Sequence, residues 1–181
     1  GAALALKAHI SYLMKKYDVA ASAAKEVMNL GVYNLYGNYG DLFSAEHENN
    51  SEVIFDHQYM ENALDYDYTG SWIDQFFSPL MMGGWEALSP TQDLIDAYEC
   101  TDGKSIGESK LYNPEKPFEN RDPRLAYSIL WHGCEFGGQI YSTEGTMGNG
   151  NATRTGYTMR KYINPKNVGN EYPGWINYIL F

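Results

Sequence analysis

A helical repeat of apolar residues is present only at the start of this chain. Ala2 to Met14 is rich in Ala and Leu, and Leu6, Ile10 and Leu13 recur at helical spacing, so the stretch reads as one helix. Lys15-Lys16-Tyr17 is a short break. Asp18 can cap a second helix, Val19 to Leu30, and Gly31 is placed to end it in the left-handed region. Ala8, Ala20 and Ala24 are small where two antiparallel helices would press together, and Tyr17 would fill the turn. After Leu35 the period stops, so the rest of the chain must build its core from short elements and loops.

The pair reads as one tetratricopeptide (TPR) hairpin, whose period is about 34 residues. An ordinary helical hairpin is the plainer alternative. No second copy follows, and one such hairpin cannot bury its own face, so it expects neighbours. Tyr36 to Asn50 is Gly- and Asn-rich loop, and Glu52 to Gln58 is apolar and β-branched enough for a short strand. Tyr59 to Gly84 shows no clean period, yet carries Tyr59, Tyr66, Tyr68, Trp72, Phe76 and Phe77. An irregular stretch of this length is uncommon in a compact domain unless functional or disordered, and the aromatic content argues against disorder. Ser89-Pro90 reads as a cap and first helical residue, with Leu94, Ile95 and Tyr98 as the buried face and Gly103 in the following turn. Asp122-Pro123 is a second cap-and-Pro start for a short turn. Leu125 to Trp131 and Gly156 to Ile163 read as strands, and Gly133 to Thr153 as Gly-rich loop.

Composition excludes several functions. With 181 residues the chain suffices for one domain with a real core. Apolar residues make up 44%, but no run reaches the roughly 18 that a membrane span needs. A formal net charge of -10 disfavours nucleic acid, whose binding depends on Lys and Arg displacing counterions. Neutral sugars are indifferent to such a field. The 16 Tyr and 4 Trp suit either a Tyr-rich core or a surface that stacks on the apolar face of a pyranose. Cys100 and Cys134 make no disulfide framework, and their pairing is left open.

Catalytic and metal chemistry find little support. His9, His47, His57 and His132 form no zinc-binding spacing, and no Cys-x-x-Cys occurs. Asp93, Asp96 and Glu99 on one helix read as a solvated face rather than a calcium site. There is no Gly-x-Ser-x-Gly elbow and no phosphate-cradling Gly loop. His132 and Cys134 stand two apart, which does not bring a base to the sulfur. Glycoside hydrolysis by a carboxylate pair is the alternative enzymatic reading, with Asp65 and Asp67 the first to test. A TPR-type protein-interaction scaffold is the third class.

An ordered series of short motifs carries a family resemblance. Gly31-Val32-Tyr33-Asn34-Leu35 and Glu52-Val53-Ile54-Phe55 come first. Ser89 to Glu99 (Ser-Pro-Thr-Gln-Asp-Leu-Ile-Asp-Ala-Tyr-Glu), Asp102-Gly103-Lys104 and Arg121-Asp122-Pro123-Arg124-Leu125 follow. Thr155-Gly156-Tyr157 then runs into Arg160-Lys161-Tyr162. In this order they resemble the SusD/RagB family of outer-membrane glycan-binding lipoproteins of Bacteroidetes. The resemblance implies a mainly α fold with long loops and a few short strands, in which a TPR-like hairpin (1–35) joins an irregular ligand-binding part (36–181). The whole, 1–181, is then a single-domain fragment of a SusD-like protein.

The resemblance also implies function. Such proteins capture oligosaccharide at the cell surface and pass it to a SusC-like TonB-dependent transporter, without catalysis. They sit on the outer membrane through a lipid anchor. This chain opens on no leader, and Cys100 and Cys134 lie too far inside to carry lipid, so an internal piece of a longer lipoprotein is expected. No cofactor is expected; some members of the family hold a calcium ion, but no residue here is assigned to one. The sugar surface is expected in the aromatic stretch after Phe55, with Trp72 and Trp85 as stacking platforms, Tyr66 and Tyr68 as secondary ones, and Asp67 bonding hydroxyls. Glycines or loop-type residues precede both Trp, which favours exposure over the competing core position. Trp131 reads as core, and Arg121 and Arg124 as forks pinning loop carbonyls or carboxylates.

Overall fold

The computed structural model describes residues 1–59, 72–143, 153–166 and 178–181. The chain divides into two compact units, Gly1–Tyr59 with Ile176–Phe181, and Met60–Trp175. Helices outweigh strands among the described residues, and every sheet is a two-stranded ribbon.

In the first unit, α1 (Ala2–Leu13) and α2 (Tyr17–Asn29) form the expected hairpin. Of the small residues read at its contact, Ala20 is buried and Ala8 half-buried, and Ala24 departs. Leu6, Ile10 and Leu13 are exposed, whereas Ser11 of α1 and Ala20, Ala23 and Val27 of α2 are buried. Helix α1 is apolar nearly all round, so sequence alone does not choose its inner face. The short side chains of Ala8 and Ser11 permit the closer approach of α2. Ala24 is exposed and the neighbouring Ala23 takes the packed position. Lys16 rather than Asp18 is the N-cap of α2, and Asp18 falls in the first turn, where its charge complements the helix dipole. Tyr17 is more than half exposed and meets Tyr12 edge to face at 5.8 Å. Gly31 takes the left-handed conformation that closes the helix, with φ +66°.

The strand expected over Glu52 to Gln58 shrinks to β1 (Asp56–His57), because its antiparallel partner β6 (Tyr178–Ile179) is equally short. Ile54 and Phe55 still donate to the Phe181 carbonyl, at 2.8 and 3.1 Å, so extended contact continues past the ladder.

Among its described residues the second unit holds two buried clusters. Leu130, Phe136, Tyr141 and Ile163 form one; Ile95, Leu125 and Ile129 form the other. Strand β2 (Ile129–Trp131) serves both, since successive side chains of a strand face opposite ways. Leu130 joins the first cluster, and Ile129 and Trp131 join the second, where Trp131 stacks on Phe118 at 4.3 Å.

Further elements were absent from the sequence reading or placed differently. Helix α3 (Ile73–Phe77) and a 3-10 turn (Leu80–Met82) lie inside the stretch without period. Helix α4 (Gln92–Ala97) is capped by Thr91, whose hydroxyl accepts from the Leu94 N–H at 3.4 Å; Ser89 instead meets the Thr153 hydroxyl, and Leu94 is exposed. Leu125 opens no strand: α5 (Pro123–Ser128) comes first, with Asp122 as cap and Pro123 in the first turn, and β2 begins only at Ile129. The Gly-rich loop contains a hairpin, β3 (Glu135–Phe136) and β4 (Gln139–Ile140). Its two turn residues, Gly137 and Gly138, have φ +59° and +76°, as a tight turn matched to strand twist requires. Strand β5 (Tyr157–Met159) pairs with β2.

Candidate functional site

Helix α3 has two faces at i, i+4 spacing. Ile73 and Phe77 pack against the Leu130 cluster. Trp72, just before the helix, and Phe76 share a face and lie 6.1 Å apart between ring centroids. The helix is too short to satisfy its own last carbonyls. Residues 85–87 do so instead. The Trp85 N–H donates to Gln75 O at 2.8 Å, the Ala87 N–H to Phe76 O at 2.8 Å, and the Glu86 N–H to Ser78 O at 3.0 Å.

This latch brings the Trp85 ring onto Phe76, edge to face, at 4.9 Å and 70°. Trp85 is 56% exposed and Phe76 38% exposed, while Trp72 is half-buried. The result is a patch of three rings with Phe76 in the middle. An exposed indole braced by a second ring presents a rigid apolar face at little entropic cost. Sequence reasoning singled out both tryptophans but not Phe76. The available signal was the four-residue spacing of Trp72 and Phe76. Tyr66, Asp67 and Tyr68 lie outside the described residues, as does Asp65.

Burial alternates along the segment. Gly83, Trp85 and Ala87 face solvent, and Gly84 and Glu86 face inward. A Cβ built on Gly84 would land on the Ser78 hydroxyl and carbonyl, so only glycine fits there. The Glu86 Oε1 accepts from the Tyr141 hydroxyl at 2.6 Å and from the Thr158 hydroxyl. Burial pushes the Tyr141 phenol far up, and the Glu86 carboxylate adds to the shift, so Tyr141 remains a donor throughout the working pH range.

Neighbouring motifs are structural. Arg121 is buried and donates to the carbonyls of Pro117 at 2.8 Å, Ile95 at 2.5 Å and Tyr98 at 2.9 Å. Arg124 closes a fork on Asp122, with Nε 3.0 and 2.9 Å from the two carboxylate oxygens. Both arginines therefore hold carbonyls or carboxylates, as the fork geometry suggested. The thiols of Cys100 and Cys134 are unpaired. Burial pushes the Cys134 thiol up, which makes it a poor nucleophile, and His132 Nδ1 lies 3.2 Å from the Thr143 hydroxyl. Among the described residues no group of three or more His, Cys, Asp or Glu could hold a metal, and no helix is long and apolar enough to cross a membrane. An open groove of about 660 Å³ lies along the hairpin, lined by Ala8, Tyr12, Ala20 and Phe181 among others, but it is almost wholly apolar and offers little to sugar hydroxyls.

The sequence pattern of the SusD family matches residues 51–181. The chain belongs to the SusD family. A SusD-like carbohydrate-binding protein from Bacteroides fragilis is similar over 99% of this chain at 30% identity, with a TM-score of 0.85, and the shared part is 36% of that protein. A second SusD-like protein from the same species is 26% identical over 98% of this chain and 39% of its own length, with a TM-score of 0.76. A SusD superfamily protein from Bacteroides vulgatus shares the fold at 21% identity over 97% of this chain and 35% of its own, with a TM-score of 0.60. This SusD-family chain thus spans little more than a third of the length of these solved relatives. Among curated proteins none matches.

Proposed function

We propose that this SusD-family chain contributes to a non-catalytic surface protein that binds a glycan and hands it to a SusC-like TonB-dependent transporter in the outer membrane. The observation that carries the reading is the exposed Trp85 ring, braced by Phe76, which Trp72 adjoins in turn, in a chain whose relative is a carbohydrate-binding protein. A pyranose lays its C–H face on the indole, and polar groups around the rim bond its hydroxyls. Tyr66, Tyr68 and Asp67 are proposed to extend the surface. Stacking contributes about 1 kcal/mol per ring beyond area burial, so affinity is expected in the micromolar range or weaker. That suits a carrier that must release its sugar. A lipid anchor elsewhere in the full protein would hold it at the membrane.

The test is calorimetry or affinity gels against a polysaccharide panel, repeated with Trp85→Ala and Trp72→Ala. Trp85→Ala is expected to lose about tenfold in affinity, and the half-buried Trp72 less. Full affinity in both variants refutes the placement. Turnover of any retained polysaccharide refutes the non-catalytic reading.

A further inference from the structure

We infer that Glu86 is the positioning residue of the Trp85 platform: its buried carboxylate, bonded to the hydroxyls of Tyr141 and Thr158, fixes which way the segment faces and so turns the indole to solvent. The inference rests on the reading of Trp85 as the sugar-stacking ring.

Three observations converge. First, Glu86 is only 8% exposed, between the exposed Trp85 and Ala87, and its Oε1 meets two hydroxyls that are themselves buried, Tyr141 and Thr158. Those hydroxyls lie 2.8 Å apart, so three side chains distant in sequence close a triangle. Second, the backbone at Glu86 is left-handed, with φ +47°. A residue with a Cβ pays for that conformation, and a glutamate is too long to recover it through the local turns that Asn and Asp make. Contacts beyond the turn must hold it, and two reach Glu86 itself: its N–H on the Ser78 carbonyl and its carboxylate in the triangle. Third, the Glu86 Oε2 is buried without a hydrogen-bond partner. An orphaned carboxylate oxygen is costly, and an apolar side chain would avoid that cost. What an apolar side chain cannot supply is direction. Rotating the segment so that residue 85 turns inward would break both bonds to Oε1 and strand the Tyr141 and Thr158 hydroxyls in the core. The backbone latch to Gln75, Phe76 and Ser78 sets where the segment lies; the carboxylate sets which side chains look out.

The protein labelled with 5-fluorotryptophan gives a ¹⁹F signal for each Trp, and loss of one in Trp85→Phe assigns Trp85. Its exposure is read from the shift between H₂O and D₂O, and affinity from calorimetry with the polysaccharide retained best in the panel. Glu86→Gln keeps the accepting oxygen and is expected to preserve the Trp85 signal. Glu86→Leu is expected to move that signal and shrink its solvent shift, leave Trp131 unchanged, and weaken binding at least about fivefold. Glu86→Gly suits a positive φ but removes the anchor, so it is expected to behave as Glu86→Leu. A Trp85 signal unchanged in Glu86→Gly overturns the inference, because the turn alone would then orient the ring. If Glu86→Leu loses all its signals by unfolding, Tyr141→Phe decides: it removes one donor at nearly constant volume and must move Trp85 but not Trp131. Wild-type protein that retains no polysaccharide refutes the functional reading, while the ¹⁹F comparison still decides the role of Glu86.

Discussion

Arg121 should be the most consequential single side chain in the second unit. Its guanidinium joins two carbonyls at the C-terminal end of α4 to the loop at Pro117. The Ile95 carbonyl also accepts the Tyr98 N–H of the helix cap at 3.3 Å, and a cation at this end complements the helix dipole. Hydrogen bonds from a charged group contribute about 1.5–3 kcal/mol each, and the Ile95 bond is fully buried. The other two are part-buried and share the same group, so about 1 kcal/mol each is a fair count. Arg121→Ala is therefore expected to cost about 3–5 kcal/mol, or roughly 6–20 °C in Tm for a chain of this size. Arg121→Lys keeps the charge, but one nitrogen cannot span both groups of carbonyls, so about half the loss is expected. The assay is urea unfolding followed by intrinsic Trp fluorescence. All four tryptophans fall within Met60–Trp175, so the signal reports that unit. Both variants within about 0.5 kcal/mol of wild type would refute the reasoning.

Phe76→Ala removes the ring that braces Trp85 and should weaken polysaccharide binding about fivefold by calorimetry, although Phe76 is not the most exposed ring. Gly84→Ala drives a Cβ into Ser78 and should cost about 1–3 kcal/mol in urea unfolding, with a change in Trp85 emission. The Arg124 guanidinium beside Asp122 holds its carboxyl below the usual carboxylate range. A depressed folded value stabilises the protein above the unfolded value and is lost as pH falls through the folded one. The stability difference between wild type and Asp122→Asn should therefore be present near neutral pH and shrink below about pH 4, read from urea midpoints across that range.

The elements legible in the sequence were those with local chemistry. Asp122-Pro123 encodes its own cap, and the hairpin encodes its period. What escaped was decided by distant partners. Helix α3 has five residues, too few to show a period, and it persists because residues 85–87 satisfy its carbonyls. Strands β3 and β4 have two residues each and are fixed by the Gly137-Gly138 turn. At the hairpin contact the small residues Ala8 and Ala20 were legible, and the departure is Ala24, whose place Ala23 takes. At the candidate site, the flanking glycines hinted that Trp85 faces outward. The reason, two inward neighbours at Gly84 and Glu86, depends on Ser78, Tyr141 and Thr158 and is invisible along the chain.

The alternation at 83–87 divides the segment into anchored and presented positions. Positions 84 and 86 are committed to the interior, and a change at either reaches deep into the unit. Positions 85 and 87 look outward, so a new side chain at 85 gives up the contact with Phe76 but leaves both interior anchors standing.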